Sequence, residues 1–295
     1  MIPSESLEGV LNHFSARRIL SVRINTLQGD QKNILDILKA RNILFTVLPW
    51  CKDVLILENI SQEDLRELDL VQEGKIYQQS LSSLLVSLVL DPQPGERVLD
   101  LCAAPGSKTT HIAMLMKNQG EIVAVETIKD RYYRLKSVVA LLGATNVHLK
   151  LMDGRKYRDG TFDRILVDAP CSSEGRFHTA DQKSFGFWSL RKIKEMAHKQ
   201  KGLLLNASRL LKPGGMLVYS TCTFAPEENE AVVDWFLRKS KAAFEVVPIK
   251  FESVATYPAV TVGVKKSFNA QVQHCTRILP TESMDAFFMV KMMKG

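Results

Sequence analysis

Two cysteines and a carboxylate carry the most chemistry in this sequence. Cys171 closes the run Asp168-Ala169-Pro170-Cys171, and Cys222 closes Ser220-Thr221-Cys222; each follows an apolar stretch directly and precedes a polar loop. A thiolate is a strong nucleophile, so two thiols near one acid suit covalent catalysis. Free cysteine is also a common small buried hydrophobe, and two neighbouring thiols can oxidise to a disulfide. The strand-end setting argues against both, because neither residue occupies a core position. Cys102 stands at a third such place, so three of the five cysteines (51, 102, 171, 222 and 275) fall at equivalent points. The odd number, wide spacing and lack of any C-x-x-C pair fit neither a disulfide framework nor a usual zinc site, and no metal is expected.

A second constellation is Arg97 to Thr110, RVLDLCAAPGSKTT. Val98, Leu99 and Leu101 read as a buried strand, and Ile112, Ala113, Leu115 and Met116 recur at helical spacing. Between them lies a turn of residues almost without side chains, Ala103, Ala104, Pro105 and Gly106. Small residues let a ligand approach the backbone, and the helix start adds free N–H groups and partial positive charge. Gly106-Ser107-Lys108-Thr109 matches neither phosphate-cradling glycine pattern. An adenosine ligand without phosphates therefore fits better than a dinucleotide. Glu126, 20 residues beyond Gly106, is placed to accept from both ribose hydroxyls; an exposed acid at a strand end is the plainer alternative.

The elements that would position these groups alternate regularly. A helix is predicted over Tyr77 to Leu90, a strand over Arg97 to Cys102, a helix over Ser107 to Asn118 and a strand over Glu121 to Glu126. Next come a helix over Ile128 to Leu142 stopped by Gly143, a strand over Val147 to Leu151 and a strand over Phe162 to Asp168. A long helix from Leu190 to Leu211 is halted by Pro213-Gly214-Gly215, ahead of a strand over Met216 to Ser220. Pro226 with Glu227, Glu228 and Glu230 opens another helix. Short strands near Phe244 to Val247, Val272 to Ile278 and Phe287 to Met292 finish the chain.

This is an α/β pattern, a doubly wound parallel sheet of the Rossmann-like kind, occupying residues 76–295. Ligands bind outside the carboxyl ends of such strands. That edge carries Asp100 and Cys102, Glu126, Asp153, Asp168 with Cys171, and Cys222. The strands ending at Asp168 and Ser220 become neighbours if the order reverses beside the first strand, so the two thiols face one cavity. Residues 1–75 read as a small α+β module, strand, helix, strand, strand, with no chemistry of their own legible in the sequence.

The chain has 295 residues, 45% hydrophobic, enough for one large or two unequal domains. No apolar run approaches a membrane span or a signal-peptide core, so a cytoplasmic protein with reduced thiols and no membrane contact is expected. The net charge of +7 is uneven: residues 1–75 hold 9 basic and 11 acidic residues, leaving +9 on the rest. Patches at Arg155 to Arg158 and Arg191 to Lys201 could track a polyanion, although solvated lysine faces are common.

Taken together, these residues resemble the Sun/Fmu-type RNA cytosine-5 methyltransferases, which use S-adenosylmethionine. The resemblance runs through Asp100 to Thr109, Asp168-Ala169-Pro170-Cys171-Ser172, and Ser220-Thr221-Cys222 with Pro226-Glu227-Glu228-Asn229. Weaker matches are Arg23-Ile24-Asn25-Thr26, Tyr77-Gln78-Gln79-Ser80 and Arg277-Ile278-Leu279-Pro280 with Phe287-Phe288. Ser107, Ser173 and Ala286 depart from the family's usual glycines; none removes a reactive group.

The resemblance implies that Cys222 adds to C6 of cytosine, that Asp168 hydrogen-bonds the base edge, and that Cys171 serves the later loss of the C5 proton. It implies that Cys102, Ala103, Ala104, Pro105, Gly106, Ser107 and Lys108 line the cofactor, with Asp168 beside it. Glu126 would hold the ribose with Arg131 nearby, and Asp153 would meet the adenine amino group. The substrate would be a single-stranded or flipped cytosine of ribosomal or transfer RNA, taken by a monomer. In the loop after Cys171, Arg176, Phe177, His178, Lys183, Phe185, Phe187 and Trp188 offer stacking faces and phosphate contacts, although Trp188 is expected to pack inward as part of a lid. A helix beginning near Pro226 would help lower the Cys222 thiol pKa. An amine-directed methyltransferase, which needs no thiol, and an inactive methyltransferase-like assembly factor are the alternatives.

Overall fold

The computed structural model describes residues 7–16, 19–263 and 267–295. The remaining parts of the expected N-terminal module, residues 1–6 and 17–18, lie outside the described residues. The small sheet and its helices comprise α1 (Leu7–His13), β1 (Leu20–Ile24), α2 (Gln31–Ala40), β2 (Phe45–Leu48), β3 (Cys51–Leu57), α3 (Gln62–Glu67), α4 (Asp69–Gln72) and β4 (Ile76–Gln78), so the sheet runs three residues past the expected boundary at 75 because β4 pairs with β1. Its four strands form an antiparallel sheet in the order β2-β3-β1-β4. Val22, Ile24, Ile34, Leu38, Leu55 and Ile76 make its separate core. Tyr77 and Gln78, expected to begin a helix, are instead extended, because Tyr77 pairs with Arg23 across β1 and β4.

The larger part follows as α5 (Leu81–Leu90), β5 (Arg97–Asp100), α6 (Ser107–Leu115), β6 (Glu121–Glu126), α7 (Lys129–Leu141), β7 (Val147–Leu151), β8 (Phe162–Asp168), α8 (Leu190–Leu210), β9 (Leu211–Thr221), α9 (Glu230–Lys239), β10 (Phe244–Val247), β11 (Tyr257–Pro258), β12 (Thr276–Ile278) and β13 (Phe287–Lys294). The sheet order is β11-β12-β13-β9-β8-β5-β6-β7, with β10 also paired to β13. Strands β9, β8, β5, β6 and β7 run parallel, and the order reverses beside β5, as a Rossmann-like sheet requires. The closing strands depart from a wholly parallel sheet. β13 inserts antiparallel against β9, and β10 and β12 pair antiparallel with it.

Two further departures have local causes. Pro213-Gly214-Gly215 does not halt the chain ahead of a strand but bulges within β9, between Leu211 opposite Phe162 and Met216 opposite Arg164. The helix expected from Pro226 begins only at Glu230, because the preceding residues serve the site described below. Helix α8 ends at Leu210, and the expected strand from Val272 starts with a 3₁₀ turn over Ala270–His274. Helices α8 and α9 cover one face of the sheet; α5, α6 and α7 cover the other. Helix α5 is buried on nearly every side, consistent with its all-round apolar sequence. Among the described residues, no helix is long and apolar enough to cross a membrane.

Arg23 and Asn25 join the two parts. Arg23 is fully buried; its guanidinium donates to Gln79 Oε1 (3.1 Å), Thr110 Oγ1 (3.1 Å) and Met114 Sδ (3.2 Å), the last two on α6. Burial without a carboxylate among these acceptors pulls its pKa down to about 10. Asn25 Nδ2 donates to the carbonyls of Gly74 (2.8 Å) and Leu142 (2.9 Å), at the end of α7. Arg23→Ala should therefore lose roughly 2–4 kcal/mol, three hydrogen bonds plus a cavity. Arg23→Met should recover part of that, since it fills the space without burying a charge. Denaturant midpoints at unchanged slope measure both; equal stability of the alanine variant and the natural protein would contradict the coupling.

Candidate active site

The site is built on the register of β8 and β9, which places Asp168 opposite Ser220 so that the chain leaves both strands side by side. Three residues past Asp168 and two past Ser220, the sulfurs of Cys171 and Cys222 approach to 3.4 Å. A disulfide would need about 2.05 Å, so these are two free thiols in contact.

Buried polar side chains hold the two turns. The Glu228 carboxylate accepts from the backbone N–H of Ser172 (3.1 and 3.2 Å) and from Gln200 Nε2 (2.8 Å). Gln200 also donates to the carbonyl of Pro170 (3.0 Å), so Glu228 and Gln200 grip the peptides on both sides of Cys171. Burial pushes the Glu228 carboxyl above the usual carboxylate range. Asn229 accepts from the Thr221 hydroxyl and donates to the Thr223 carbonyl (2.9 Å), fixing both sides of Cys222. With these side chains committed inward, α9 starts after them.

The loop beyond Cys171 folds back across Cys222. Gly175 N–H donates to the Cys222 carbonyl (2.9 Å), and Glu174 accepts from the Thr223 hydroxyl (3.0 Å) and Phe224 N–H (3.1 Å). A side chain at Gly175 would meet the carbonyls of Ala286 and Cys222 at 2.7 and 3.0 Å, so the approach requires glycine.

The thiols are electrostatically unequal. Cys222 is drawn down to about 7, first by the hydrogen bond from Cys171, then, against the opposing effect of burial, by the Arg176 cation. Cys171 is pushed well above its ordinary value, because its proton is held by Cys222 and by burial. The helix expected to open near Pro226 beside this thiol begins only at Glu230, eight residues beyond Cys222. Hydrogen bonding and Arg176 lower the thiol instead.

Lys108, expected only to line the cofactor, reaches Asp168. Its Nζ lies 2.8 Å from Asp168 Oδ2 and donates to Ser83 Oγ (2.8 Å), with the Phe287 ring 5.6 Å away. Ser220 Oγ donates to the other Asp168 oxygen (2.8 Å). Asp100 is buried, accepts from Thr109 Oγ1 (2.7 Å), and is raised by burial to about 6. It anchors the turn of Cys102 to Ser107, where Gly106 has φ +113° and a side chain would meet Leu135 and Val138 at 3.1 Å.

These residues line a cavity of about 390 Å³ that includes Asp100, Lys108, Asp168, Cys171, Arg176 and Cys222. It shares Cys102, Arg131 and Pro170 with a lobe of about 210 Å³, walled by Leu101, Ile128 and Leu203 with Glu126 and Asp153 at its polar end. Glu126 is buried, and its Oε1 accepts from the N–H groups of Thr127 and Ile128 (both 2.8 Å). Arg131 lies 3.7 Å from Glu126 Oε2 and donates to the Ala104 carbonyl (2.6 Å), tying the turn to the acid. Asp153 faces the same lobe but is gripped by Arg155 (2.6 Å), whose guanidinium holds its carboxyl below the usual range. The structure thus gathers every residue expected at the strand ends around two connected cavities.

Ser83 and Gln200, on α5 and α8, escaped the sequence reading, and Phe287, on β13, was legible only as part of a weaker family match with no role assigned to it. Arg176 was legible only as a candidate phosphate contact. The inward packing expected of Trp188 does not occur: its ring is 41% exposed while its Nε1 donates to Glu174 Oε1 (2.7 Å).

The unequal thiols generate a pH test. The rate of Cys222 alkylation by iodoacetamide, read by peptide mass spectrometry, should rise with a midpoint near pH 7. Arg176→Gln removes a cation that favours the thiolate and should move the midpoint upward by about one pH unit. A midpoint of 9 in the natural protein would contradict the assigned geometry.

Residues 87–293 match the model of the 16S rRNA methyltransferase RsmB/F family. Over 280 residues the chain is 38% identical to the tRNA (cytosine(49)-C(5))-methyltransferase of Pyrococcus abyssi, covering 93% of this chain and 88% of that one. It is 39% identical over 238 residues to the ribosomal RNA small subunit methyltransferase F of Klebsiella pneumoniae, covering 78% of this chain but only 49% of that protein, so it spans about half the length of that relative. A crystal structure of a methyltransferase homolog from Pyrococcus horikoshii superposes with a TM-score of 0.85 at 30% identity, over 100% of this chain and 92% of that one. Motifs, sheet order and similarity agree: the chain belongs to the 16S rRNA methyltransferase RsmB/F family.

Proposed function

We propose that this protein transfers a methyl group from S-adenosylmethionine to C5 of a cytosine in RNA, through a transient bond between Cys222 and C6. The observation that carries the reading is the pair of unequal thiols 3.4 Å apart at the ends of neighbouring strands. An amine-directed enzyme has no use for them. Relatives named for transfer RNA and for ribosomal RNA support RNA as the substrate class. We take the protein to act as a monomer in the cytoplasm, where free thiols persist.

The cavities suit the cofactor: the apolar lobe with Glu126 at its polar end fits an adenosine, and the small-residue turn admits the rest against the backbone. Cys102 to Lys108, Glu126, Arg131 and Asp153 would hold it; when bound, it supplies an electrophilic methyl group. The chain's own residues do the remainder. C5 of cytosine becomes nucleophilic only after a nucleophile adds at C6, and Cys222, whose thiol is the more acidic of the pair, is that nucleophile. The Lys108–Asp168 pair offers a donor and an acceptor to the base edge as charge develops at N3. Adding to C6 removes the negative charge that held the Cys171 proton in place. Cys171 can then lose its own proton to solvent and, as thiolate, take the C5 proton; the electrons of that C–H bond re-form the C5–C6 double bond and break the C6–S bond, releasing Cys222 as thiolate.

Cys222→Ser should abolish both methyl transfer and covalent RNA adduct. Cys171→Ser should transfer the methyl group and stall, leaving a labelled protein–RNA species that survives a denaturing gel run with methyl-labelled cofactor and cellular RNA. An adduct from Cys222→Ser but none from Cys171→Ser would reverse the roles. Label recovered as N-methylated nucleoside rather than 5-methylcytidine would favour the amine-directed alternative.

A further inference from the structure

Two surfaces lead away from the cysteine cavity. One is a cleft of about 930 Å³, sharing Arg176 with the cavity and running to Ser61 and Gln62 of the N-terminal module; it carries Glu63, Asp181, Glu282 and Asp285. That much acid disfavours a polyanion. The other is the rim formed by the loop after Cys171 and the start of α8. Here Phe185, Phe187, Trp188 and Leu190 are 37, 49, 41 and 69% exposed within six residues, an apolar cluster that folding leaves uncovered. Exposed cations flank it, at Lys183, Arg191 and Lys194. The nearby acid Glu195 is already engaged by Lys199 (2.7 Å) and Lys192 (3.8 Å), and the other rim acids are tied down locally, Glu174 by the Trp188 indole N–H (2.7 Å) and Asp181 by the Lys183 backbone N–H (3.0 Å).

The rim is also built rather than loose. Trp188 N–H pairs with the Phe185 carbonyl (2.9 Å), Gly186 N–H with that of Gln182 (2.8 Å), and Ser189 caps α8 through Lys192 N–H (3.1 Å). The indole N–H is tied to Glu174, whose other oxygen holds the turn immediately after Cys222. One carboxylate therefore ties the Trp188 indole N–H to the turn that follows the nucleophile, while the residue stays 41% exposed. Phe177 packs between Phe14 and Phe185, with ring centres 6.3 and 6.0 Å apart, bracing the same loop from below.

Resting on the proposed RNA methylation, we infer that this rim is a stacking platform for unpaired nucleotides adjoining the target cytosine. Phe187 and Trp188 take base faces, and Lys183, Arg191 and Lys194 take the phosphates between them. The substrate it fits is a single-stranded or loop segment; a continuous duplex keeps its base faces stacked and unavailable.

Anisotropy of a labelled single-stranded RNA of about 12 nucleotides, bound to the full-length protein, tests this. Phe187→Ala with Trp188→Ala should weaken binding about tenfold or more, while Trp188→Phe, which keeps a ring but loses the Glu174 hydrogen bond, should retain most of it. Lys183→Ala, Arg191→Ala and Lys194→Ala combined should lower the slope of log affinity against log salt by about 2, at roughly 0.7 per phosphate. Unchanged affinity in the aromatic double variant, equal weakening for an RNA duplex, or no binding by the natural protein would overturn the platform. So would sedimentation showing that the double variant converts a dimer to a monomer, which would make the patch an interface between copies. Formation of 5-methylcytidine in cellular RNA by the natural protein, measured separately, keeps failure of the platform distinct from failure of the proposed reaction.

Discussion

The contact between Cys171 and Cys222 is the constraint on which the rest of the site depends. Two thiols from chain segments 51 residues apart are useful only if one ionises while the other keeps its proton, and that requires their sulfurs to meet without bonding. Parallel pairing of β8 with β9 brings the strand ends together. It does not orient the turns beyond them. That orientation comes from Glu228, Gln200 and Asn229, buried polar groups whose desolvation is offset because each holds backbone groups that would otherwise be orphaned. The consequence is one acidic thiol and one reluctant thiol in the same cavity, a division set by a hydrogen bond and by Arg176 rather than by the identity of the residues.

The N-terminal module acts on this arrangement at one remove. Arg23 and Asn25, two residues apart on and just beyond β1, reach α6 and the end of α7, the helices that follow the two turns lining the cofactor side. A guanidinium buried among uncharged acceptors is costly, which makes it weak as a source of stability and specific as a register device. It aligns a small antiparallel sheet with the helix whose first turn shapes the cavity. The module also reaches the loop that carries the exposed aromatic rim, where Phe14 packs against Phe177 and its carbonyl accepts from the Thr179 N–H (2.7 Å).

Much of the fold was legible because parallel strands buried on both faces read as continuous apolar runs, and because the strand-end residues Glu126, Asp168, Cys171 and Cys222 break those runs with reactive groups. The antiparallel insertion of β13 was not, since its apolar sequence carries no signal of direction. Pro213-Gly214-Gly215 looks like a terminator locally but is a bulge once Phe162 and Arg164 set its partners. Pro226 looks like a helix start, yet the tertiary demand on Glu228 and Asn229 displaces the helix to Glu230. Trp188 has the composition of a lid and faces solvent because its only polar atom is satisfied at the rim. Ser83 and Gln200 had no local signal at all, and Phe287 stood in a matched motif without a role; only packing brings the three to the site.

In the proposed reaction Cys222, not Cys171, attacks the base. It is tested most directly on the natural protein with RNA in which cytosine is replaced by 5-fluorocytosine, which blocks loss of the C5 substituent and traps the adduct. After nuclease and protease digestion, mass spectrometry should find the methylated fluoronucleotide on the peptide containing Cys222, with the Cys171 peptide unmodified. Recovery of the nucleotide on Cys171, or of no adduct while the RNA is methylated at C5, would contradict it.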